Sequence, residues 1–510
     1  MHLQIIVAFA MLLWWPENPP KDLWLSDPFW CPVFAWAVPV TCVFLGHLIT
    51  KRTRLKLKTR TDRVTAALNS FHRQTSLLRM AMLAGVGVTL FMTACPQQLM
   101  DQPYISVLSG LPQMCLLLPY LVGLIALWWV IHPVEKASRD AGFLGSTSSR
   151  FEYVIFNVRH QLLIVAIPLT LIVFAYAATQ ENRDWFVKHV GSPWAPEAIL
   201  GSTATVLFVL SPLLLRYIWS TTSLPPGPLR DRLESLCKRI NLRVRDILVW
   251  HSDGQMVNAA VMGLFPQLRY ILLSDTLIEK MNDDEIESVF GHEAGHIYHH
   301  HIPYFLMFAL ASMLIVSGVM EFLTRMSGGL NPTWNLSRET IQIIGIGALV
   351  PLWGICFGWI SRRFERQADV YGAWCASPHE SELDCQKPCA IHDPNDPPMT
   401  AANEIGVCST GAQVFVGALR KVAFLNGIPP AEPSWRHSSI ASRMAFLTAQ
   451  SGDPIMAKRF AGKIRAIKRT LLVCCAIGLV IAAVYIWNQP GYRQDIIRSV
   501  FKPIGRLFGQ

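Results

Sequence analysis

Asn282-Asp283-Asp284-Glu285 opens a stretch that reaches His292-Glu293-Ala294-Gly295-His296 and then passes into the apolar run Ile302–Leu323. Asn282 is a helix cap by type, and Glu285 stands where the reciprocal partner of a capping box belongs. The residues that follow are therefore read as a helix, expected to run straight into the apolar run at Ile302. On that helix His292 and His296 lie one turn apart on a shared face, so both imidazoles can reach one ion. Glu293 sits beside the first and can take a proton from a water on that ion. Gly291 and Gly295 leave room for another backbone to pack close. Paired surface histidines are the bland reading of such a pattern. The adjoining apolar run weighs against it, because ionisable residues at the edge of a bilayer are costly without a partner or a task.

Composition supports a bilayer. Of 510 residues, 52% are hydrophobic and 16% charged, against roughly 25% charged in an average globular protein. Apolar runs long enough to cross a membrane as helices are Phe29–Thr50, Leu77–Cys95, Leu111–Ile131, Gln161–Ala178, Ile199–Ser220, Ile302–Leu323, Thr340–Ile360 and Thr470–Trp487. Met1–Trp15 is shorter; with no Lys or Arg before Lys21 and no small-residue cleavage site, it reads as a short uncleaved span rather than a signal peptide.

Orientation follows from the loops. Lys51, Arg52, Arg54, Lys56, Lys58, Arg60 and Arg63 form a dense basic block, and alternation puts Lys136, Arg139, Arg150 and Arg159 on the same, inner side. The opposite loops hold only Lys21, then Arg183 and Lys188, then Arg325 and Arg338. The tail Gln489–Gln510 breaks the pattern, so either it is an interfacial helix or one span is misassigned. Beside anionic lipid, a basic inner face explains the net charge of +10; no nucleic-acid module is needed, and none is expected as a partner.

The chain divides at Leu224-Pro225-Pro226-Gly227-Pro228. Before it, residues 1–223 are a membrane region with about six spans. After it, residues 224–301 hold a short amphipathic helix over Leu229–Asn241, two strands at Ile247–Trp250 and Tyr270–Leu273, and the histidine helix. Residues 302–360 are two spans, 361–450 a second polar part, and 451–510 a basic segment, the last span and the tail. In the second polar part a helix over Ser361–Tyr371 precedes an insertion, Ala373–Gly411, and helices around Ala412–Leu425 and Ser439–Ala449.

A tetrahedral catalytic zinc needs a third protein ligand and one open position. The candidate is Glu365, in Ser361-Arg362-Arg363-Phe364-Glu365-Arg366-Gln367-Ala368-Asp369. Asp369, one turn later on the same face, can accept a hydrogen bond from a ligand imidazole and fix its tautomer. The same segment also reads as an amphipathic juxtamembrane helix with paired charges.

Taken in order, these motifs resemble the integral-membrane gluzincins, which include the type I CAAX prenyl proteases and the HtpX-like membrane heat-shock proteases. The resemblance covers roughly Leu224 to Leu447. Val257-Asn258-Ala259-Ala260 with Gly263 resembles the edge strand on which that family binds substrate, which implies substrate contacts at Asn258 and Ala259. His437-Ser438-Ser439-Ile440 with Arg443 resembles the family's His-Pro-containing motif, with Ser438 where the pattern has Pro. It implies that His437 stabilises the oxyanion and that Arg443 contacts substrate. Without the family order, His437 reads as a surface histidine in a Trp-Arg-His loop. A strand edge holds an extended peptide by its backbone, and a tetrahedral intermediate needs a donor besides the metal.

The expectation is an α-helical polytopic membrane protein with a small α+β gluzincin (zincin) domain on the cytosolic face of a bacterial inner membrane or an ER-type membrane. The resemblance implies one Zn2+ per chain, held by His292, His296 and Glu365, with Glu293 activating water to hydrolyse a protein or peptide substrate. The order of spans favours the CAAX relatives, although the extra N-terminal spans depart from a closed chamber of their shape. Alternatives are an HtpX-like quality-control protease and an inactive protease-like scaffold or transporter; intact ligands and an intact Glu293 argue against the second. His299, His300 and His301 are read as markers of the membrane interface rather than ligands of another metal. Cys375, Cys385, Cys389 and Cys408 fit a structural metal or unremarkable thiols equally.

Overall fold

Long apolar runs leave their backbone no water to bond, so the helix, which satisfies its own N–H and C=O groups, is the economical solution. The computed structural model describes residues 2–13, 23–59, 64–140, 149–190, 195–252, 254–329, 338–376, 407–451 and 453–487. Seven helices among the described residues are long and apolar enough to cross a membrane. The chain forms two units, one of residues 1–221 with 251–255, the other of residues 222–250 with 256–510.

The first unit is helical. Its elements are α1 (His2–Leu13), α2 (Trp30–Thr59), α3 (Val64–Met92), α4 (Cys95–Met100) and α5 (Leu111–Asp140). They continue as α6 (Arg150–Asn157), α7 (Ile164–Glu181), α8 (Arg183–Val190) and α9 (Ala195–Ile218). A π-helical stretch, Val158–Leu163, joins α6 to α7, and Ser149 with Glu152 forms the capping box that starts α6. Phe9, Phe71, Leu117, Tyr120 and Leu124 lie in one buried core. The short span expected at Met1–Trp15 is here the 12-residue α1. At 1.5 Å per residue α1 is about 18 Å long, short of the ~30 Å hydrocarbon core, and it buries Ile5, Phe9 and Leu12 against the bundle instead.

The second unit opens on a small sheet. It contains β1 (Thr221–Ser223), α10 (Pro228–Arg239), β2 (Asp246–Trp250), β3 (Ala259–Met262) and β4 (Tyr270–Ser274). Strand order is β1-β2-β4-β3. β2 runs parallel to β4, and β3 antiparallel to it with Ala259 opposite Leu273. Central β4 is buried at all five positions, as expected of a strand covered on both faces. β3 therefore lies at an edge. Short α11 (Asp275–Lys280) leads to α12 (Asp283–Tyr298), whose capping box pairs Asn282 with Glu285. Then come α13 (His301–Gly329), α14 (Arg338–Cys375), α15 (Ser409–Leu425), α16 (Ile440–Gln450) and α17 (Pro454–Trp487).

Two expectations change. The histidine helix does not run on into the apolar run: α12 stops at Tyr298, His300 takes a left-handed φ of 56°, and α13 restarts at His301. Nor do the three following histidines simply mark an interface, since His299 and His301 are buried inside the protein. Ser361–Tyr371 does continue the helix of Thr340–Ile360, the two forming α14, which reaches Cys375. Cys375 and Cys408 are buried, while Cys385, Cys389 and most of the insertion lie outside the described residues.

Candidate metal centre

α12 and α14 can cross closely because their contact is lined by small residues. A Cβ at Gly291 would lie 2.6 Å from the Cβ of Cys375, and one at Gly295 would lie 3.0 Å from the Cβ of Tyr371 and 3.2 Å from the Cα of Ala368. No side chain fits there. This contact sets Glu365 of α14 opposite the two imidazoles of α12.

His292, His296 and Glu365 converge with one donor atom each. The two Nε2 atoms are 3.3 Å apart, and each lies 3.7 Å from a Glu365 oxygen. Zinc bound tetrahedrally at about 2.0–2.2 Å from each donor would hold those donors roughly 3.3–3.6 Å apart. Spacing and donor chemistry both fit that ion.

Each imidazole is backed on its far nitrogen. His292 Nδ1 is 3.0 Å from Asp369 Oδ1. Asp369 is itself gripped by both arms of the buried Arg443 guanidinium, Nε to Oδ2 at 2.9 Å and Nη2 to Oδ1. His296 Nδ1 is 3.0 Å from His301 Nδ1, and His301 Nε2 is 3.0 Å from Gln367 Oε1. Sequence reading took His301 for an interface marker and gave Gln367 no role. The only signal was a histidine shortly after the pair, on the wrong face of an unbroken helix.

The titrations follow from burial and neighbours. Burial raises the Glu293 carboxyl to about 7; Glu365 adds to this, while His292 and the Val261 N–H oppose it. A group poised there can accept and return a proton near neutrality. Burial lowers His296 to about 4 and leaves it a neutral donor. His292 moves upward, because Asp369 outweighs its burial. Burial would raise Glu365, but the hydrogen bond from His437 and the neighbouring His296, His292 and Arg443 hold it well below the usual carboxylate range. Arg443 likewise outweighs the burial of Asp369 and keeps it low.

The remaining expected residues fall in different places. His437, 47% exposed, donates from Nδ1 to Glu365 Oε2 at 2.9 Å. Its loop is pinned to α14, where Trp435 Nε1 donates to the Gly354 carbonyl at 3.0 Å and Arg362 to the Trp435 carbonyl at 2.7 Å. Ser438 has φ 65°, a value the proline ring forbids. The departure from the His-Pro pattern thus comes with a backbone that proline could not adopt. Asn258 is exposed beside β3, its carbonyl accepting from the Ser274 N–H at 2.9 Å. Alternation then points the polar groups of Ala259 and Val261 away from β4, and the Val261 N–H meets Glu293. Arg443 is not at this edge: it is buried, with its guanidinium on Asp369.

Residues 224–425 match Peptidase family M48. The chain is similar to a CAAX prenyl protease 1 homolog of Oryza sativa subsp. japonica, 32% identical over 32% of this chain and 39% of that protein. It is also similar to a Protease HtpX homolog of Bacteroides fragilis (strain YCH46), 28% identical over 28% of this chain and 45% of that protein. It therefore spans less than half the length of these curated relatives. The crystal structure of S. mikatae Ste24p aligns with a TM-score of 0.46 at 17% identity, covering 81% of this chain and 98% of that one. His292, His296 and Glu365 of α12 and α14 all fall inside the segment that matches Peptidase family M48, in a chain that is a multi-pass membrane protein.

Proposed function

We propose that this chain is a zinc-dependent endopeptidase of the membrane that cuts membrane-associated or lipidated proteins. The observation that carries the reading is the convergence of one donor atom each from His292, His296 and Glu365, with Glu293 beside them and the open edge of β3 alongside. Zinc in that set would polarise the scissile carbonyl and acidify a water molecule. An extended substrate adds as a strand to β3, presenting its backbone in a fixed register. Glu293 takes the proton of the attacking water, whose oxygen bonds to the carbonyl carbon. It then passes that proton to the amine that leaves as the C–N bond breaks. His437, turned away from Glu365, donates its N–H to the oxygen that gains charge. The names of the CAAX prenyl protease relatives support lipidated substrates. The basic block at Lys51–Arg63 and the parity of spans favour a cytosolic domain.

Replacing Glu293 by Gln keeps shape and removes the base. Turnover should fall by about 10²–10⁴-fold with zinc content unchanged, on either a prenylated peptide or a denatured membrane protein. Retention of more than about a tenth of wild-type turnover with zinc bound overturns the mechanism. Labelling Lys280→Cys from the outside alone would overturn the orientation.

A further inference from the structure

His301 is the first residue of the apolar helix α13, and it is completely buried. Its ring lies flat on Phe364, with centroids 4.4 Å apart and planes 4° from parallel. That stack fixes the plane of the imidazole, and Gln367 fixes its tautomer. The Gln367 oxygen can only accept, so at 3.0 Å His301 Nε2 must carry the proton. Nδ1 of His301 is then an acceptor, and at 3.0 Å it takes the proton of His296 Nδ1. His296 Nε2 is left with its lone pair facing His292 and Glu365. Each tautomer in the chain forces the next.

Reaching His296 from position 301 requires the break in the chain. On an unbroken helix, residues five apart point about 140° away from each other. The left-handed turn at His300, φ 56°, brings His301 back over His296. The side chain of His300 is exposed, so its contribution is backbone conformation. α14 supplies Phe364 and Gln367 around the ligand Glu365, and so holds both the ligand and the residue that orients its neighbour.

We propose that His301 is a positioning residue that holds His296 in its metal-binding tautomer and ties the first turn of α13 to the metal centre. This rests on the zinc reading above. Metal-ligating histidines are oriented by such outer partners, whose loss typically costs metal affinity or activity by about 10–100-fold. The His292 side is backed by a carboxylate, whereas this side is backed by a neutral ring and an amide.

The test measures zinc affinity of the full chain in detergent, by competition with a chromogenic chelator, and the visible absorption of the Co2+-loaded protein. His301→Phe keeps the stack and removes both nitrogens; it should weaken zinc binding by about 10–100-fold and shift the Co2+ bands. His301→Asn places an oxygen close to where Nδ1 lies and should recover most of that loss, which a merely structural role would not predict. Gln367→Leu should lose affinity in the same direction but by less. His300→Val, a β-branched residue in a left-handed position, should lose more than His300→Gly. If His301→Phe does not fold, Gln367→Leu and the His300 pair decide. Zinc affinity of these variants within about twofold of wild type overturns the proposal. Wild-type protein that binds zinc yet cleaves nothing ends the protease reading and leaves this comparison standing; wild-type protein that binds no zinc overturns both.

Discussion

The two units bury their polar groups in different ways. Among the described residues of the N-terminal unit, the buried polar side chains are mainly threonines and histidines, and no carboxylate or guanidinium is among them. Thr89 and Thr93 turn their hydroxyls back onto carbonyls one turn earlier, at 2.9 and 2.7 Å. These bonds are local and depend little on how helices pack. The second unit buries Glu287, Glu365, Asp369 and Arg443. Each of these is matched by a partner on another element or far along the chain: Glu287 by Arg232 and Arg239, Asp369 by Arg443 and His292, Glu365 by His437. Buried charge is stable only with its partner present, and losing one partner costs more than the pair contributes. The bundle can therefore tolerate repacking, while the second unit depends on a few residues standing where they do.

The contrast is most exposed where α12 meets α14. Gly295→Leu would drive a side chain into the Ala368 backbone and separate Glu365 from the two imidazoles. Metal analysis should find essentially no bound zinc, and full zinc occupancy would show that the close crossing is not what assembles the ligands. Asp369→Asn strands Arg443 in the interior, at a cost of about 3–5 kcal/mol. Thermal unfolding should show the double change Asp369→Leu with Arg443→Met recovering much of that stability but not the zinc affinity. If the double variant is no more stable than the single one, buried charge is not the source of the cost. In the bundle, Leu124→Ala removes a fully buried side chain and should cost about 2–5 kcal/mol, yet leave the zinc affinity of the folded protein at the wild-type value. A parallel loss of zinc affinity would break the distinction between the units.

Acid gives the smallest and most diagnostic difference. Asp369 and Glu365 have folded values depressed below the ordinary carboxylate value. A depressed carboxylate contributes its full stabilisation above the unfolded value, near ~4, and loses it as pH falls through the folded one. In zinc-free protein, hydrogen exchange should therefore show α12 and α14 losing protection below about pH 4 before α5 does. Simultaneous loss would mean that the bundle also depends on carboxylates.

Sequence alone determined what is local. The length of apolar runs requires membrane helices, the Asn282–Glu285 box starts α12, and helical spacing makes neighbours of His292 and His296. Glu365 and Asp369 were legible as a pair because one turn separates them on one helix. Everything that joins distant segments was decided by the tertiary structure. Arg443 grips Asp369 across 74 residues of chain, and Gln367 meets His301 across 66. β3 is an edge because β4 pairs in parallel with β2 and leaves β3 only one neighbour. The approach of His301 to His296 hinges on one left-handed residue, His300. Periodicity is a property of one element and can be counted along the chain, whereas a partner in space depends on how elements cross, which for α12 and α14 was set by the absent side chains of Gly291 and Gly295.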